Sequence, residues 1–366
     1  MVDTTGWWPV ELEGKPDFEQ AMQRVYAWYE GEILDRVPVR FMAHNAAFNL
    51  GDVEGKRPPE EQKKRWFDVE RRVEEYVRSI EGKRFLGETF PVFDPNLGPD
   101  VYAAFYGAEL TFGEVTSWSR PIVLDWDDMY RLKLDMNNEY FKTIEALMLC
   151  AIERCAGKAL VGYTDLHPSV DCAMSWRGTE QFCLDLYEAP DRAKELIEVA
   201  YRDFHTIYNR FDNILKSHHL PSVCWIGLPS FGRFHVPSCD FSAMISTEHF
   251  VEFSLPALLH EIQSMTHVVY HVDGRGVARH LDHILAVPQI NGIQWVQEMG
   301  EARPIMQWVP LIKKIQAAGK GIIVDLQPDE LEPFLEAVEP RGIFLWIGTE
   351  DEEEQQAILK RLEKWH

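Results

Sequence analysis

Short apolar runs alternate with long amphipathic stretches along the whole chain. Each apolar run is hydrophobic at nearly every position, which is typical of parallel strands buried on both faces. Between the runs, apolar residues recur at the spacing of amphipathic helices. Eight runs are predicted strands: 37–42, 90–93, 159–164, 222–226, 267–272, 292–296, 321–326 and 342–347. The clearest predicted helices span 60–81, 135–154, 189–216, 247–265 and 351–365.

Eight buried strands alternating with helices predict a closed (β/α)8 TIM barrel with extra N-terminal helices. We expect one barrel domain over residues 1–366, because no linker rich in proline, glycine and serine divides the chain. Residues 1–35 are predicted to form an N-terminal helical extension, in which a helix over 18–34 covers the bottom or side of the barrel. Residues 109–123 are expected to form a small inserted β-hairpin.

The composition excludes several classes of protein. Of the 366 residues, 46% are hydrophobic, which is incompatible with compositional disorder. The formal net charge of −22 repels phosphate backbones and anionic lipid, so neither nucleic acid nor a membrane is an expected partner. The N-terminal segment does not resemble a signal peptide, and no apolar stretch reaches the roughly 20 residues that span a bilayer. The six cysteines include no Cys-x-x-Cys pair, which favours reduced thiols in a cytoplasmic protein.

Polar and aromatic side chains collect where the predicted strands end, which is where barrel enzymes carry their active sites. Four of these residues are predicted to be catalytic, namely Asp94, Asp165, His271 and Asp273. The predicted substrate-binding residues are His44, Tyr163, His167, Trp225, Asp240, Arg275, Gln294, Trp295, Glu298 and Trp346. Any one of them could instead cap a helix or face solvent. The tryptophans predict an aromatic-walled pocket for a small organic molecule, although core packing is an alternative for some of them.

Four sequence segments follow one another in a specific order. They are RVPVRFM at 36–42, LVGY at 160–163 with LYEAP at 186–190, DFSAMIS at 240–246, and YHVDG at 270–274. Together they resemble the uroporphyrinogen decarboxylase-like superfamily, which also contains corrinoid- and coenzyme M-dependent methyltransferases. The resemblance implies the same barrel that the strand pattern predicts, and a monomer or homodimer.

The resemblance to true decarboxylases is weakest at the substrate-binding segment. Those enzymes carry Met-Arg-Gln-Ala-Gly-Arg-Tyr after the first strand, whereas this chain has MAHNAAF at 42–48. Without both arginines, nothing there can neutralise the carboxylates of a tetrapyrrole. Asp94 resembles the essential aspartate of the family. We therefore exclude a true uroporphyrinogen decarboxylase, but a decarboxylase or lyase of a smaller acid, using Asp94 with His44 or His167, remains an alternative.

The methyltransferase branch of the family typically holds zinc with His-x-Cys and a distant cysteine. Here His271 is present, Asp273 replaces the first cysteine, and residues 343–350 contain none. His271 and Asp273 lie two apart on one predicted strand, so both side chains leave the same face. A carboxylate and an imidazole can hold zinc, with a third ligand from Asp240, Cys239, Glu298 or His283. Alternatively, the two residues form a hydrogen-bonded pair that orients the substrate.

The residues that follow this pair leave further alternatives open. Arg275 could bind a substrate anion beside the glycines of the expected βα turn. His280 and His283 are three apart on a predicted helix, a spacing that suits a metal site, but capping and solvent exposure are alternatives.

The leading hypothesis is an enzyme acting on a small organic substrate, most similar to a corrinoid-linked methyltransferase. In it, His271 and Asp273 bind or activate the substrate, with or without zinc, and Asp94 or Asp165 moves a proton. It implies a partner corrinoid protein that docks over the barrel mouth. The alternatives are the carboxy-lyase described above and a barrel that binds a ligand without catalysis. A dense polar mouth disfavours the last of these, because half-buried unpaired carboxylates destabilise a fold.

Overall fold

The computed structural model describes residues 2–42, 57–297 and 305–366. The strands are β1 Val39–Met42, β2 Val92–Phe93, β3 Leu110–Phe112, β4 Ser117–Ser119, β5 Leu160–Val161, β6 Phe234–His235, β7 His267–Asp273, β8 Gly292–Val296, β9 Gly321–Leu326 and β10 Ile343–Gly348. The α-helices span Phe18–Tyr29, Pro59–Phe67, Val69–Ile80, Val101–Ala104, Glu139–Arg154, Val170–Arg177, Thr179–Glu188, Pro190–Tyr201, Phe204–Ser217, Thr247–His249, Leu255–Ile262, Gly274–Ala278, Leu281–Leu285, Val309–Ala317, Leu331–Ala337 and Glu352–Leu362. Short 3₁₀ turns cover Trp126–Arg131, Asp240–Met244 and Ile305–Trp308, and a π-helical turn covers Phe250–Ser254.

The strands form a curled parallel sheet of six strands in the order β1-β10-β9-β8-β7-β6, which amounts to half a barrel. A second parallel pair joins β2 to β5. Single backbone hydrogen bonds extend this arrangement, from Glu88 to Val39 and from Tyr163 to Val223. Among the described residues, no continuous ladder links the six-stranded sheet to the pair. The structure thus shows a mixed α/β fold with a half-barrel, and closure into eight strands stays a prediction.

The predicted strand at 222–226 is wrong. Ser222 makes only an isolated antiparallel bridge with Ser230, and the chain reverses at Gly227, whose φ is +66°. The run is buried, but burial of apolar side chains alone does not distinguish a strand from a buried irregular segment. The strand next to β7 is β6, in which Phe234 pairs with His267.

Two of the long predicted helices are each divided in two. The predicted helix 60–81 is interrupted at Asp68, whose carboxylate accepts the backbone N–H of Arg71 and so begins the second helix. The predicted helix 189–216 is divided between Tyr201 and Phe204. The hairpin expected at 109–123 is confirmed, because β3 and β4 pair antiparallel. None of the helices in the described part of the chain is long and apolar enough to cross a bilayer.

The helix Phe18–Tyr29 packs against the amino ends of the sheet strands. Its Trp28 donates a hydrogen bond from Nε1 to the carbonyl oxygen of Gly342 at 2.9 Å. A Cβ atom at Gly292 would lie 2.6 Å from the Trp28 ring, and one at Gly321 would lie 2.8 Å from it. Glycine at both positions therefore makes room for the indole. The helix predicted over 18–34 is present as Phe18–Tyr29, at the amino ends of these strands.

A buried ion-pair network ties the same helix to β1. Glu88 is fully buried and receives hydrogen bonds from both Arg24 and Arg36 as well as from the backbone N–H of Val39. A carboxylate buried without partners would strongly destabilise the fold, and these contacts give Glu88 its partners.

Candidate active site

Alternate residues of neighbouring strands face the inside of the curled sheet, which we call the inner face. Arg40 of β1 crosses the interior and donates a hydrogen bond to the carbonyl of Ile226. Side chains alternate between the two faces of a strand. The strand register therefore identifies the residues of the other strands that share the inner face with Arg40. These are Trp346 of β10, Asp325 of β9, Gln294 of β8, and His271 and Asp273 of β7. The carboxyl ends of the strands therefore bring together chemically active side chains from separate parts of the sequence.

His271 lies at the centre of this group. Its Nδ1 atom is 2.6 Å from the side-chain oxygen of Gln294, and its ring meets the Trp225 ring edge-on with centroids 5.3 Å apart. A carboxamide oxygen only accepts hydrogen bonds, so this contact places a proton on Nδ1. In the neutral ring, Nε2 then keeps its lone pair and is available to a metal or a substrate proton.

Asp240, His271 and Asp273 form a group with the composition of a metal site. Each offers one ligand atom, and these atoms all lie within 4.8 Å of one another. Asp240 comes from the 3₁₀ turn Asp240–Met244, which is far from β7 in sequence. Of the other candidates for a third ligand, Cys239 is buried with its sulfur 3.5 Å from the Ser254 hydroxyl. The residues present fit a divalent cation with one imidazole and two carboxylate ligands.

A hydrogen-bonded chain runs beside this group through Asp165, His167 and Ser238. His167 Nε2 lies 2.6 Å from Asp165 Oδ2, and its Nδ1 lies 2.8 Å from the Ser238 hydroxyl. Burial alone would lower the pKa of His167, but the charge of Asp165 and then those of Asp171 and Asp240 raise it to about 10. Burial opposes ionisation of Asp165, yet the adjacent His167 lowers the pKa of that carboxyl. The two residues thus form an ion pair near neutral pH.

Asp94 follows β2 and has a different electrostatic environment. Burial, reinforced by the charge of Asp165, raises its pKa to about 7, although Arg72 acts in the opposite direction. Its Oδ1 atom is buried and has no hydrogen-bond partner within the described part of the protein. A carboxyl with a pKa near neutrality and an open oxygen is suited to general acid–base catalysis.

Arg40, Trp346 and Asp325 form a further set on the inner face, in which only Trp346 is a predicted substrate-binding residue. The Arg40 guanidinium lies over the Trp346 ring, 4.9 Å from its centroid. Burial lowers the pKa of Arg40 to about 10 and raises that of Asp325 to about 6, with each group partly stabilising the charge of the other. An arginine inside an apolar predicted strand is the signal that could have revealed this set.

Two predicted substrate-binding residues lie elsewhere. Trp295 is on the opposite face of β8 from Gln294, where it is 1% exposed and packs against Trp308 with centroids 4.7 Å apart. Tyr163 is buried, donates a hydrogen bond to the Phe234 carbonyl and lies 3.0 Å from Nδ1 of His235. The side chains of Tyr163 and Trp295 thus pack among Phe234, His235 and Trp308, and their role in substrate binding stays a prediction.

The tyrosine contact belongs to a buried network that the sequence did not reveal. His235 Nε2 lies 2.6 Å from Glu261 Oε1, and both side chains are almost completely buried. Burial lowers the pKa of His235 to about 3 and raises that of Glu261 well above its usual range. The pair is therefore a neutral hydrogen bond between β6 and the helix Leu255–Ile262.

Of the other residues considered from the sequence, two lie outside the described part of the chain and two lie against aromatic rings. His44 and Glu298 lie outside the described residues. Arg275 lies over the Trp308 ring, 4.9 Å from its centroid. His280 is fully buried, stacks on Phe250 and lies 2.9 Å from the Ser242 carbonyl oxygen through Nε2. The structure thus assigns His280 to the packing of the turn Asp240–Met244 rather than to a metal site.

Comparisons with known proteins concern the fold. No protein-family model matches the chain, and no curated protein gives a significant match. A solved structure that does match is a methyltransferase from Methanosarcina mazei, with a TM-score of 0.54 and 12% sequence identity. The match covers 94% of this chain and 98% of that chain. Over nearly its whole length, the protein therefore has the fold of that methyltransferase.

Proposed function

We propose that the protein is a methyltransferase-type enzyme of the uroporphyrinogen decarboxylase-like superfamily, with a closed (β/α)8 barrel. In this proposal it acts on a small organic substrate and exchanges a methyl group with a corrinoid carried by a partner protein. The convergence of Asp240, His271 and Asp273 within 4.8 Å carries the proposal. It lies at the carboxyl end of β7, where the sequence resembles the His-x-Cys segment of methyltransferases. The fold shared with a methyltransferase supports the same reaction class.

Zinc is the metal that we propose for these ligands. Imidazole and carboxylate groups are ordinary zinc ligands, and three protein ligands leave a fourth position for substrate. The hydrogen bond between His271 Nδ1 and Gln294 fixes the ring so that Nε2 is the ligand atom. When bound at such a site, zinc favours the thiolate form of a thiol substrate and so supplies a nucleophile at neutral pH.

The other residues of the site would position the substrate and move a proton. The Trp225 ring lies against His271, and the Trp346 ring lies under Arg40, so both could form apolar walls for the methyl group. Asp94 has the pKa of about 7 that a general acid or base requires.

A carboxy-lyase acting on a small acid is the second candidate. The observation that favours it is the buried Oδ1 of Asp94, which has no partner among the described residues. Such a group can donate a proton to a carbanion that forms when carbon dioxide leaves. This function would depend on Asp94 and would be indifferent to the loss of Asp240.

The experiment is a metal analysis combined with a methyl-transfer assay. We expect about one zinc per chain by elemental analysis, and thiol-dependent loss of the methylcobalamin absorbance when the enzyme is mixed with methylcobalamin and a panel of small thiols. Chelation should abolish this activity and added zinc should restore it. Protein that contains no zinc, or activity that survives complete chelation, would contradict the proposal.

A further inference from the structure

The turn Asp240–Met244 carries one of the three candidate ligands, but it belongs to no strand of the sheet. Ladder hydrogen bonds fix the backbone of His271 and Asp273 within β7. The position of Asp240 relative to them depends on the backbone hydrogen bond from His271 N–H to the Pro237 carbonyl oxygen, at 3.0 Å, and on contacts that reach the turn from other elements. A ligand that is held in place before the metal arrives binds it more tightly than one that must be ordered on binding.

Asp171 holds the beginning of the turn. Its two carboxylate oxygens accept the backbone N–H groups of Asp240 at 3.0 Å and Phe241 at 2.9 Å. Asp171 is 8% exposed and lies in the first turn of the helix Val170–Arg177. The Asp171 carboxyl group therefore fixes the backbone of the ligand residue itself.

His167 holds the chain two residues before the ligand. Its Nδ1 lies 2.8 Å from the hydroxyl of Ser238, while Asp165 binds its Nε2 at 2.6 Å. Ser238 is 6% exposed, so water cannot readily replace this contact. His167 and Asp171 also approach each other, with 4.0 Å between Nδ1 and the nearer carboxylate oxygen.

The opposite side of the turn is packed against the helix Gly274–Ala278. A Cβ atom at Gly276 would lie 2.7 Å from the Cβ of Ala243, so the two backbones are as close as glycine permits. Arg279 Nη2 donates a hydrogen bond to the Ala243 carbonyl oxygen at 3.0 Å. The turn is thus clamped between Asp171 and His167 on one side and the segment that follows β7 on the other.

We infer that His167 and Asp171 are positioning residues of the metal site: they hold the segment Ser238–Phe241 so that the Asp240 carboxylate meets His271 and Asp273. This inference rests on the proposed function, because it presumes that the three residues bind a cation. Neither His167 nor Asp171 is a ligand. Outer-shell contacts of this kind typically change metal affinity by about 10- to 100-fold.

The test measures zinc affinity, by competition with a chromophoric chelator, in full-length Asp171→Asn, Asp171→Ala, His167→Gln and Ser238→Ala proteins. Asparagine keeps one acceptor oxygen and alanine keeps none, so we expect zinc affinity to fall about 10-fold in Asp171→Asn and further in Asp171→Ala. His167→Gln and Ser238→Ala should each lower it by a similar factor. Ser238→Ala removes a single hydroxyl, which keeps the test usable if loss of the buried His167 charge impairs folding.

The matched control is Asp128→Asn. Asp128 also accepts hydrogen bonds from two backbone N–H groups, those of Leu124 and Asp125, but it lies in a different 3₁₀ turn, Trp126–Arg131. This variant should keep the wild-type zinc affinity. Hydrogen exchange at the amides of Asp240 and Phe241, measured without metal, gives a second readout. Exchange should accelerate at both amides in the Asp171 variants and stay unchanged in Asp128→Asn.

The outcomes separate this inference from the function on which it rests. Wild-type protein that binds no zinc would overturn both. Wild-type protein that binds zinc, together with Asp171 and His167 variants that bind it within twofold of the same affinity, would overturn the positioning role alone. The inference is supported if affinity falls in all four variants while the control is unaffected and the amides of Asp240 and Phe241 lose protection.

Discussion

His271 Nδ1 lies 2.6 Å from the side-chain oxygen of Gln294, and the two residues are register partners on the adjacent parallel strands β7 and β8. Gln294 is 3% exposed, so water has little access to its amide group and does not readily replace its hydrogen bond with His271. A buried carboxamide thereby fixes the tautomer and the orientation of the imidazole. Nε2 is the atom left for chemistry at the carboxyl end of the sheet.

Replacing Gln294 should therefore weaken the metal site without removing a ligand. Gln294→Leu has nearly the same volume but no acceptor, and we expect zinc affinity about 10- to 100-fold lower. Gln294→Glu keeps the acceptor oxygen and should retain most of the affinity. Chelator competition measures both. Gln263→Leu, at an exposed glutamine that contacts His205, is the control. Equal affinity in Gln294→Leu and wild type would contradict this role.

The ligand residues themselves should behave as one unit. His271→Ala, Asp273→Ala and Asp240→Ala should each remove most of the bound zinc and of the methyl-transfer activity, and the His271→Ala/Asp273→Ala double variant should be little worse than either single one. Asp273→Cys should retain zinc or bind it more tightly, since thiolate is a strong zinc ligand.

Elemental analysis and circular dichroism of the purified variants provide the measurements. Folding should survive in each variant, because Asp240 and Asp273 are exposed and His271 is only partly buried. Asp282→Ala, at an exposed aspartate that pairs with Lys314, should keep full zinc content. Normal activity in both His271→Ala and Asp273→Ala would place the site elsewhere on the inner face.

The close approach of Gly276 and Ala243 gives a steric prediction. Gly276→Ala would place a new Cβ atom 2.7 Å from that of Ala243 and so push the turn Asp240–Met244 away from β7. We expect lower zinc affinity, with partial recovery in the Gly276→Ala/Ala243→Gly double variant, in which one of the two methyl groups is removed. A double variant that binds zinc no better than Gly276→Ala would argue against steric displacement as the cause.

Asp94 predicts a specific dependence of stability on pH. Its pKa is 3.8 in an ordinary setting and about 7 in the folded protein. Between pH 3.8 and about pH 7, the unfolded chain releases the Asp94 proton while the folded chain keeps it. The free energy of unfolding therefore falls as the pH rises through this range. Above about pH 7 both states are ionised, and the destabilisation by Asp94 is constant.

Asp94→Asn removes this titration while preserving the shape of the side chain. The Tm of the variant relative to wild type should therefore rise between pH 5 and pH 8, by about 1 °C for each kcal/mol of destabilisation in a chain of 366 residues. Differential scanning calorimetry at the two pH values measures the difference. A Tm difference that is constant or falls over this range would show that Asp94 is ionised in the folded protein near pH 5.

Glu88 predicts a large change in stability that is unrelated to the active site. Glu88→Gln leaves the buried Arg36 guanidinium without its counter-charge, whereas Arg24 keeps its ion pair with Asp35, and we expect the free energy of unfolding to fall by about 3 kcal/mol. Urea denaturation measures the loss. Glu32→Gln removes an exposed ion pair with Arg341 and should change stability by less than about 1 kcal/mol.

The alternation of apolar and amphipathic segments was enough to predict most of the fold. The strands at Gly292–Val296 and Gly321–Leu326 have the bounds that the sequence predicted, and the N-terminal helix and the β3–β4 hairpin are where they were expected. These elements are encoded locally, because side-chain periodicity reports burial along one segment. The same argument failed at 222–226, where an apolar run is buried without forming a strand.

The site required the tertiary structure, because its geometry depends on which face of each strand is inside and on how distant segments pack. Periodicity placed His271 and Asp273 on one face, but only the tertiary structure brings Asp240 within 4.8 Å of both, on a turn that Asp171 and Gly276 contact. Nor could it tell that Trp295 points away from the interior while Arg40 points into it. The sequence by itself determined the elements and most of the reactive residues. The packing of those elements decided which of these residues meet.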